Sequence, residues 1–498
     1  MATSAAPTSR SRQRTASNNP LPHSPYNTAG SPRVLIAGLS GGSGKTIVTL
    51  GLLLLLRRAG LDVRAFKKGP DYIDPEWLEW ASAHPARNLD AFLMGADAVR
   101  ASFARHAVAD GVNVIEGNRG LFDGLDANGT YSSASLAGIL GAPVVLVLDA
   151  TKMTRTAAAL VLGCQKLDPH ISIQGVVLNQ VNGQRHERVL REAIELACSV
   201  PVVGALPRLG ENPLPERHLG LVPPDEHQTM DSVERKLLAW MENHLDLDAL
   251  LAIARGAPPL VAPADMRPSL PDGRGLRIGY LRDSAFTFYY PENIEELERA
   301  GAELVGISPL HATALPEGLD ALYIGGGFPE THAETLSANT GFLASLREAC
   351  DAGLPVYAEC GGLMLLARSL TWRGTSYPMA NVFPVDVEAF AAPQGHGYSE
   401  LRVDTPNAYF PLGAALRGHE FHYSRIVNRD ETVVAACAVL RGTGCFDRRD
   451  GLVTQNVLAA YTHLHAAATP EWASGFLTAA RQFTLRTNNR KAVSSVSL

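Results

Sequence analysis

Cysteine is scarce in this chain of 498 residues. Its six cysteines are widely spaced, and no two of them form a CxxC pair. This pattern argues against a disulfide scaffold and a structural zinc site, and it is typical of the reducing cytoplasm. The net charge is only −6, and the longest apolar run, residues 47–56, is too short to span a bilayer. We therefore expect a cytoplasmic protein without nucleic-acid or membrane partners.

The first 32 residues lack any acidic side chain. They are rich in serine, proline, threonine and alanine, which cannot form a packed core, so we expect a disordered extension over residues 1–32. An organelle transit peptide has a similar composition. However, Pro20, Pro22 and Pro25 and the lack of an amphipathic pattern favour an extension without a targeting function.

Apolar runs typical of strands alternate with helical stretches from residue 33 onward. The runs lie at 34–37, 62–66, 112–115, 143–148, 175–178 and 201–205. This alternation predicts βαβ units and a parallel sheet covered by helices on both faces. A similar pattern begins again at residue 276. We therefore predict an α/β protein with two doubly wound domains, at 33–250 and 275–485, a linker at 251–274 and a polar tail at 486–498.

A glycine-rich turn, GLSGGSGKT, connects the first predicted strand to the first helix. In such a turn, backbone N–H groups converge on phosphate at a helix N-terminus. We therefore predict a nucleotide phosphate site formed by Gly41, Gly42, Ser43, Gly44, Lys45 and Thr46. Five residues separate Gly38 from Gly44, one more than in the usual pattern. A flexible loop before a buried helix is the alternative interpretation.

Carboxylates follow two of the predicted strands. Asp71 comes after the second strand and Glu116 after the third, so both lie at the edge of the sheet where ligands bind. With Thr46, they offer the hard oxygen ligands that Mg²⁺ prefers. The alternatives are a turn residue for Asp71 and a surface carboxylate for Glu116. Asp123 is a further candidate for ligand binding, for which a purely structural role is equally reasonable.

A second reactive centre is predicted at YAECGGLMLL. The pattern is strand, tight turn and helix with Cys360 at the apex, as in a nucleophile elbow. A thiol at a helix N-terminus has a stabilised thiolate, and a nearby imidazole lowers its pKa further. The candidate base lies in residues 461–465, which contain His463 and His465. The N–H groups of Gly326, Gly327 and Gly361 are candidates for oxyanion stabilisation. An inert buried cysteine is the alternative.

Ten segments in matching order resemble the cobyrinate a,c-diamide synthases. That family fuses a dethiobiotin-synthetase-like P-loop ATPase domain to a class I glutamine amidotransferase domain of flavodoxin-like fold. The segments are GLSGGSGKT, FKKGPDYIDP, VIEGNRGLFDG, VVLNQV, LPERHLGLVP, RDSAFTFYYPEN, YIGGGFPETHAETLSAN, YAECGGLMLL, RGHEFHYS and AAYTHLHA. The resemblance covers residues 33–468 and includes the longer spacing in the phosphate loop.

The resemblance implies roles for residues of the first domain. ATP would bind at the phosphate loop, with Asn179 near the adenine and Mg²⁺ held by Thr46, Asp71 and Glu116. The substrate carboxylate would meet the nucleotide at Asp71, Tyr72, Asp74 and Asp123.

In the second domain, Cys360 would be the glutaminase nucleophile and His463 its general base, with His465 the weaker candidate. Many class I amidotransferases have a glutamate two residues after this histidine, where His465 stands here. The resemblance therefore implies a Cys-His dyad, and no orienting acid is assigned.

The implied reaction is ATP- and glutamine-dependent amidation of the a and c acetates of cobyrinic or hydrogenobyrinic acid. The same chemistry on sirohaem or nickel-sirohydrochlorin is the first alternative, because Asn118 and Arg119 differ from the apolar residues expected there. A P-loop ATPase switch without ligase activity is the second, although such a switch needs no glutaminase elbow. The expected partners are the small-molecule substrates ATP, glutamine and a tetrapyrrole polycarboxylate. A homodimer and a monomer are both compatible with the sequence.

Overall fold

The computed structural model of the chain describes residues 30–210, 214, 216–217, 220–221, 230–261, 263 and 267–496. Side chains within the last helix are described as far as residue 489. The predicted extension at 1–32 therefore lies outside the described residues, except for its last three positions.

The first domain is built on a sheet of seven parallel strands in the order β3-β2-β4-β1-β5-β6-β7. The strands are β1 (Arg33–Gly38), β2 (Val63–Lys68), β3 (Arg87–Leu89), β4 (Val112–Gly120), β5 (Val144–Asp149), β6 (Ile173–Val181) and β7 (Val202–Pro207). Six of them coincide with the predicted apolar runs. The edge strand β3 was missed, because three residues are too few to show a hydrophobic pattern.

Helices pack on both faces of this sheet. They are α1 (Lys45–Arg58), α2 (Ile73–Ser82), α3 (Ala91–His106), α4 (Ser133–Leu140), α5 (Thr156–Leu167), α6 (Gly183–Cys198), α7 (Met230–Glu242) and α8 (Leu247–Arg255). The packing of strand β1 explains why its sequence is apolar throughout. Val34 and Ile36 belong to one hydrophobic core, and Leu35 and Ala37 belong to another. Successive side chains of a strand alternate between faces, so a strand covered on both sides needs apolar residues at every position. A short antiparallel pair follows, β8 (Glu216–Arg217) and β9 (Gly220–Leu221).

The second domain is built on a sheet of ten strands in the order β11-β10-β12-β13-β22-β21-β20-β17-β18-β23. The strands are β10 (Arg277–Leu281), β11 (Glu303–Ile307), β12 (Ala321–Ile324), β13 (Val356–Glu359), β17 (Gly395–Val403), β18 (Ala415–His422), β20 (Val434–Arg441), β21 (Arg449–Thr454), β22 (Val457–Ala460) and β23 (His463–Leu464). The half from β11 to β22 is parallel, as predicted. The half from β22 to β23 is antiparallel and had no counterpart in the sequence analysis.

The remaining elements of this domain surround the sheet. A separate four-stranded sheet has the order β15-β14-β16-β19, with β14 (Ser369–Trp372), β15 (Thr375–Pro378), β16 (Val385–Ala389) and β19 (Ser424–Arg429). The helices are α9 (Pro291–Arg299), α10 (Ala333–Ala338), α11 (Thr340–Asp351), α12 (Gly361–Leu366) and α13 (Pro470–Val496), with a 3-10 turn at Pro329–His332. No helix in the described part of the chain is both long enough and apolar enough to cross a membrane.

Two helices extend past the domain ends that the sequence predicts. The expected boundary at 250 falls inside α8, whose Leu250, Leu251 and Ala254 pack on the first-domain core. The expected polar tail from 486 is helical as far as Val496. Each additional residue of a helix already nucleated adds a hydrogen bond at little cost, so polar sequence alone does not end it. The domain boundaries themselves stay predictions.

Candidate active sites

The phosphate loop lies between β1 and α1, as the sequence predicts. Its last glycine, Gly44, has a φ of 88° and is the N-cap of α1, which begins at Lys45. The side-chain amide of Asn179 donates a hydrogen bond to the carbonyl oxygen of Ser43 at 3.0 Å. Asn179 thus fixes the loop backbone, and its contact with adenine stays a prediction.

The loop presents both open and buried groups. Gly41 and Gly42 are exposed, and nothing would lie within 4 Å of a Cβ built on either residue. Ser43 and Lys45 are buried, and Thr46 is half-buried at the start of the helix. The backbone of the two glycines is therefore open to a phosphate, while the side chains after them lie close to the sheet edge.

A cluster of charged side chains lies beside the loop. Thr46 Oγ1 donates to Glu116 Oε1 at 2.6 Å, and Lys67 Nζ donates to the same oxygen at 3.1 Å. Lys67 also forms an ion pair with Asp74. These residues come from α1, β4, β2 and α2. The carboxyl ends of neighbouring parallel strands therefore bring together the side chains that the sequence places at separate strand ends.

Burial perturbs the ionisation of this cluster. It raises the pKa of Glu116, and burial together with Asp74 raises the pKa of Asp71 to about 7. Burial, followed by the charge of Lys67, lowers the pKa of Lys45. Like charges are thus crowded in a space sheltered from water. A cation beside the carboxylates and a polyphosphate beside the lysines would relieve this repulsion.

The oxygen donors fit one Mg²⁺ ion in the company of phosphate. Glu116 Oε2 is buried and has no hydrogen-bond partner among the described residues. Asp71 differs, because its Oδ1 accepts from the N–H groups of Ile73 and Asp74 at 3.0 Å and so caps α2. Within the described ranges, no three His, Cys, Asp or Glu side chains are grouped to hold a metal alone. Mg²⁺ commonly binds one or two carboxylates together with water and substrate phosphates, so this small donor set suits it.

Lys67 was not among the predicted site residues. Its side chain is only 1% exposed and lies between Asp74 and Glu116. The signal in the sequence was a pair of lysines at the end of an apolar strand. Since this sheet is covered on both faces, lysines at the end of such a strand are buried, and a buried lysine requires acidic partners.

Cys360 occupies the apex of the predicted elbow between β13 and α12. Its backbone has φ 48° and ψ −98°, a strained conformation for a residue with a side chain. The Gly326 turn lies between the elbow and His463. A Cβ built on Gly361 would be 3.1 Å from the nitrogen of Gly327, and one built on Gly326 would be 2.7 Å from His463 Cε1. The structure therefore brings together the three glycines proposed for the oxyanion and the proposed base.

The electrostatics of Cys360 differ from the expectation of a lowered thiol pKa. Burial raises the pKa of this thiol, and the carboxylates of Glu330 and Glu359 raise it further. The N–H group of Gly361 acts in the opposite direction but is outweighed. The following helix has only six residues, and the sequence did not reveal that burial and several carboxylates would act on the thiol. The resting site therefore favours the neutral thiol.

His463 has an acidic partner that the sequence analysis did not assign. Its Nδ1 lies 3.3 Å from Glu359 Oε2, and both side chains are buried. Glu359 is fixed in turn, since its Oε1 accepts from the N–H of Leu464 at 3.0 Å and its Oε2 accepts from Tyr323 Oη at 3.2 Å. The acid stands directly before the nucleophile in the sequence. A search for glutamate only after the histidine missed it.

His465 lies in a different pair. Its Nε2 is 3.6 Å from Glu292 Oε2, and its ring lies 4.5 Å from the ring of Tyr290. Although burial opposes the negative charge, the neighbouring His465 holds the pKa of Glu292 at about 2. This geometry favours a structural role for His465 and leaves His463 as the candidate base.

A cavity of about 790 Å³ lies between the two domains, and residues of both candidate sites line it. Asp71, Asp74 and Asp123 line it from the first domain, and His419 and His463 line it from the second. The Oδ2 of Asp123 also accepts from the N–H of Gly120 at 2.8 Å.

Tyr72 bridges the two halves of the cavity. Its ring is stacked on Phe288 with 5.1 Å between centroids, and it lies 5.1 Å from the ring of His463. A second link across the domains is formed by Tyr398, whose Oη donates to Asp90 Oδ2 at 2.6 Å. The predicted substrate residues and the predicted base therefore open into one space.

The sequence comparisons agree with this arrangement. Residues 34–221 match the CobQ/CobB/MinD/ParA nucleotide binding domain, and residues 277–471 match the CobB/CobQ-like glutamine amidotransferase domain. The cobyrinate a,c-diamide synthase of Magnetococcus marinus is 44% identical over 448 residues, which are 89% of this chain and 96% of that protein. The chain belongs to the cobyrinate a,c-diamide synthase family.

Other members of the cobyrinate a,c-diamide synthase family are similar over the same length. The protein of Salmonella typhimurium is 40% identical over 90% of this chain and 98% of its own length. A solved glutamine amidotransferase aligns with 41% of this chain and 98% of its own chain, at 24% identity and a TM-score of 0.31. As a member of this family, the chain is a glutamine-dependent carbon–nitrogen ligase with a nucleotide-binding domain. The roles of its individual residues stay predictions.

Proposed function

We propose that this chain converts the a and c acetate carboxylates of cobyrinic acid, or of hydrogenobyrinic acid, into carboxamides with ATP and glutamine. Cytoplasmic cobalamin biosynthesis would be its setting. The observation that carries the proposal is the cavity between the domains, which Asp71 lines from the nucleotide-binding domain and His463 lines from the amidotransferase domain. Ammonia made at Cys360 would reach the ligase residues through this cavity.

The glutaminase half of the reaction is assigned to Cys360. Its sulfur attacks the side-chain amide carbon of glutamine, while the thiol proton passes to Nε2 of His463. The N–H groups of Gly361 and the Gly326 turn would stabilise the oxyanion. Collapse of the intermediate breaks the C–N bond, and His463 returns the proton to the departing ammonia. Water then hydrolyses the thioester to glutamate.

Glu359 would orient the base during these steps. A carboxylate beside Nδ1 keeps the proton on that nitrogen, so that Nε2 is free to accept the thiol proton. It also stabilises the imidazolium that forms. The raised pKa of Cys360 keeps the resting sulfur protonated, so a base such as His463 must take the proton as the sulfur attacks glutamine.

The ligase half is assigned to the phosphate loop and the cluster beside it. A substrate carboxylate oxygen attacks the terminal phosphorus of ATP and ADP departs, after which ammonia attacks the acyl carbon and phosphate departs. Lys45 would bind the terminal phosphate. Thr46, Glu116 and Asp71 would hold Mg²⁺, which supplies charge neutralisation on the phosphates. Lys67 would keep Glu116 and Asp74 in place. Positioning and charge, more than covalent chemistry, lower the barrier to such transfer.

A panel of macrocycles tests the proposal. The purified chain is incubated with ATP, Mg²⁺, glutamine and, in turn, cobyrinic acid, hydrogenobyrinic acid, sirohaem and nickel-sirohydrochlorin, and products are identified by mass spectrometry. We expect two amides on cobyrinic or hydrogenobyrinic acid and one glutamate formed per amide. Amides on sirohaem or nickel-sirohydrochlorin alone would overturn the substrate assignment. Sirohaem and nickel-sirohydrochlorin are included because the polar Arg119 lines the cavity.

A further inference from the structure

The cavity between the domains is lined by side chains of both charges. Asp71, Asp74, Asp123 and Glu420 are the acidic ones. Four basic side chains, two from each domain, also line it, and we call them the basic rim: Lys68, Arg119, His396 and Arg441. Neither the phosphate loop nor the glutaminase site includes any member of this rim.

The members of the basic rim are close enough to influence one another. Burial lowers the pKa of His396, and the charge of Arg119 lowers it further. Burial also lowers the pKa of Lys68, and Arg119 acts on it in the same direction. Lys68 has partial compensation, since its Nζ lies 3.5 Å from Tyr398 Oη, which itself donates to Asp90.

Arg119 and Arg441 have no such compensation. Both are exposed, and no carboxylate of the described residues forms an ion pair with either guanidinium. Arg441 lies over the ring of Phe92 at 5.9 Å, which supports its side chain but leaves its charge unpaired. Positive charge concentrated in a cavity attracts anions.

The backbone holds Arg119 in an unusual conformation. Its φ is 52°, in the left-handed region that residues with a side chain seldom adopt. The preceding residue is fixed by Ser133, whose Oγ accepts from the N–H of Asn118 at 3.0 Å and donates to its carbonyl at 3.2 Å. Tyr131, on the same cavity wall, also has a positive φ of 59°. Strain of this kind is often retained where a side chain must face a ligand.

From this arrangement we infer that the basic rim binds the carboxylates of the substrate that are not being amidated. The inference rests on the proposed function, in which the substrate carries several carboxylates and one at a time is activated. That carboxylate must lie beside the metal and phosphate near Asp71 and Asp74, so the others need cationic partners elsewhere. Arginine binds carboxylate through two parallel hydrogen bonds, which suits Arg119 and Arg441 to this task.

The inference gives the amidotransferase domain a second role. His396 lies on β17 and Arg441 ends β20, in the antiparallel half of its sheet, and both face the same cavity as the ligase residues. The macrocycle would therefore contact both domains at once. Its position relative to Asp71 and Asp74, and so the choice of carboxylate, would depend on arginines that take no part in either chemical step.

Single substitutions in the two arginines test the inference, with Arg417→Ala as the matched control. Arg417 is also exposed and also lies over the Phe92 ring, at 5.6 Å, but it does not line the cavity. We expect Arg119→Ala and Arg441→Ala each to raise the KM and the Kd for cobyrinic acid about tenfold, the loss typical of one charge-assisted hydrogen bond. The kcat should change less than twofold. Arg441→Lys should recover part of the affinity.

The salt dependence gives a second readout. The KM of the unaltered chain should rise with ionic strength, and this rise should be weaker in Arg119→Ala and Arg441→Ala. A KM within twofold of the unaltered chain in both variants would overturn the inference. So would an equal effect of Arg417→Ala, which would attribute the loss to the Phe92 contact. Failure of the proposed function is distinguishable, because the unaltered chain would then amidate neither cobyrinic nor hydrogenobyrinic acid.

Discussion

The ring of Tyr72, from the ligase domain, lies 5.1 Å from the ring of His463, the candidate base of the glutaminase domain. Tyr72 immediately follows Asp71, whose carboxylate caps α2, so the loop that holds the predicted substrate residues also contacts the glutaminase site. Phe288 stacks on the same tyrosine ring, which is buried. One aromatic ring of the ligase domain therefore contacts the candidate base of the other half-reaction.

Replacing Tyr72 with leucine should uncouple the two half-reactions. The smaller side chain leaves space between the sites, through which water enters and ammonia escapes. We expect the ratio of glutamate formed to amide formed to rise well above one, with a loss of stability of about 1–3 kcal/mol. Tyr72→Phe keeps the ring and should keep the ratio near one. If Tyr72→Leu also forms one glutamate per amide, the ring does not separate the sites from solvent.

Cys360→Ser should remove glutamine as a nitrogen donor and leave ammonia as one. The hydroxyl is a far weaker nucleophile than the thiol, so glutamine-dependent amidation should fall by roughly a thousandfold or more. Amidation with ammonium chloride should continue, because the ligase cluster is untouched. Cys350→Ser, a buried cysteine of α11, serves as the control and should keep glutamine use. Full glutamine turnover in Cys360→Ser would rule out the assigned nucleophile.

Lys45→Ala should impair amidation and leave the hydrolysis of glutamine intact. Without the lysine beside the terminal phosphate, amidation should fall at least about a hundredfold with either nitrogen donor. Hydrolysis of glutamine should survive, since Cys360 and His463 are unchanged. The exposed Lys166, in the last turn of α5, provides a control whose alanine variant should retain both activities. Ammonia-dependent amidation at the normal rate in Lys45→Ala would contradict the assigned phosphate site.

The parts of the fold that the sequence predicted are those with a strong local signal. A parallel strand covered on both faces is apolar at every position, so β1, β5 and β6 stand out from their surroundings. The phosphate loop and the cysteine elbow also carry their geometry in consecutive residues. The antiparallel half of the second sheet does not, because strands such as β17 are mixed along their length, with alternating exposed and buried residues. Its pairing depends on partners distant in the chain.

The missed site residues share the same physical cause. Lys67 lies shortly before Asp71, and Glu359 directly precedes Cys360, yet their ion-pair partners Glu116 and His463 are about 50 and 100 residues away. Neither partner can be assigned from spacing alone, because it depends on which strands are neighbours. The prediction of a lowered thiol pKa was wrong for a related reason. The elbow predicts a helix N-terminus, but the burial of Cys360 and its distance from the carboxylates depend on how the chain packs.

The raised pKa of Cys360 predicts a pH dependence for its alkylation. Because the pKa of this thiol is raised, its thiolate fraction near neutral pH is smaller than that of a free cysteine and grows as the pH rises. In the absence of glutamine, labelling of Cys360 by iodoacetamide should therefore be slow at pH 7 and accelerate up to about tenfold per pH unit through pH 9. Glu330→Gln removes one of the charges that raise the pKa and should accelerate labelling.

Peptide mapping assigns the labelled cysteine, and Cys360→Ser gives the background. A labelling rate that is already constant below pH 7 would show a stable thiolate in the resting site. In that case the positive end of α12 and His463 would outweigh burial and the neighbouring carboxylates. The transfer of the thiol proton from Cys360 to His463 during the attack on glutamine would then be wrong.

Glu359→Gln tests whether Glu359 orients and stabilises the base His463. The amide keeps the shape of the side chain and still accepts a hydrogen bond from Leu464, but it no longer stabilises a positive charge on His463. We expect glutamine-dependent amidation to fall on the order of 10²-fold or more, whereas ammonia-dependent amidation is retained. The ratio of the two activities is the measurement, because a general loss of stability would lower both.

The matched control is Glu292→Gln, the buried glutamate beside His465. It removes a carboxylate from a similar histidine pair in the same domain, so it should destabilise the protein by a comparable amount while the activity ratio stays unchanged. Equal ratios in the two variants would mean that Cys360 and His463 act as a dyad without an acid. A selective loss in Glu359→Gln alone would instead identify a triad whose acid immediately precedes its nucleophile, a position that a search downstream of the histidine cannot find.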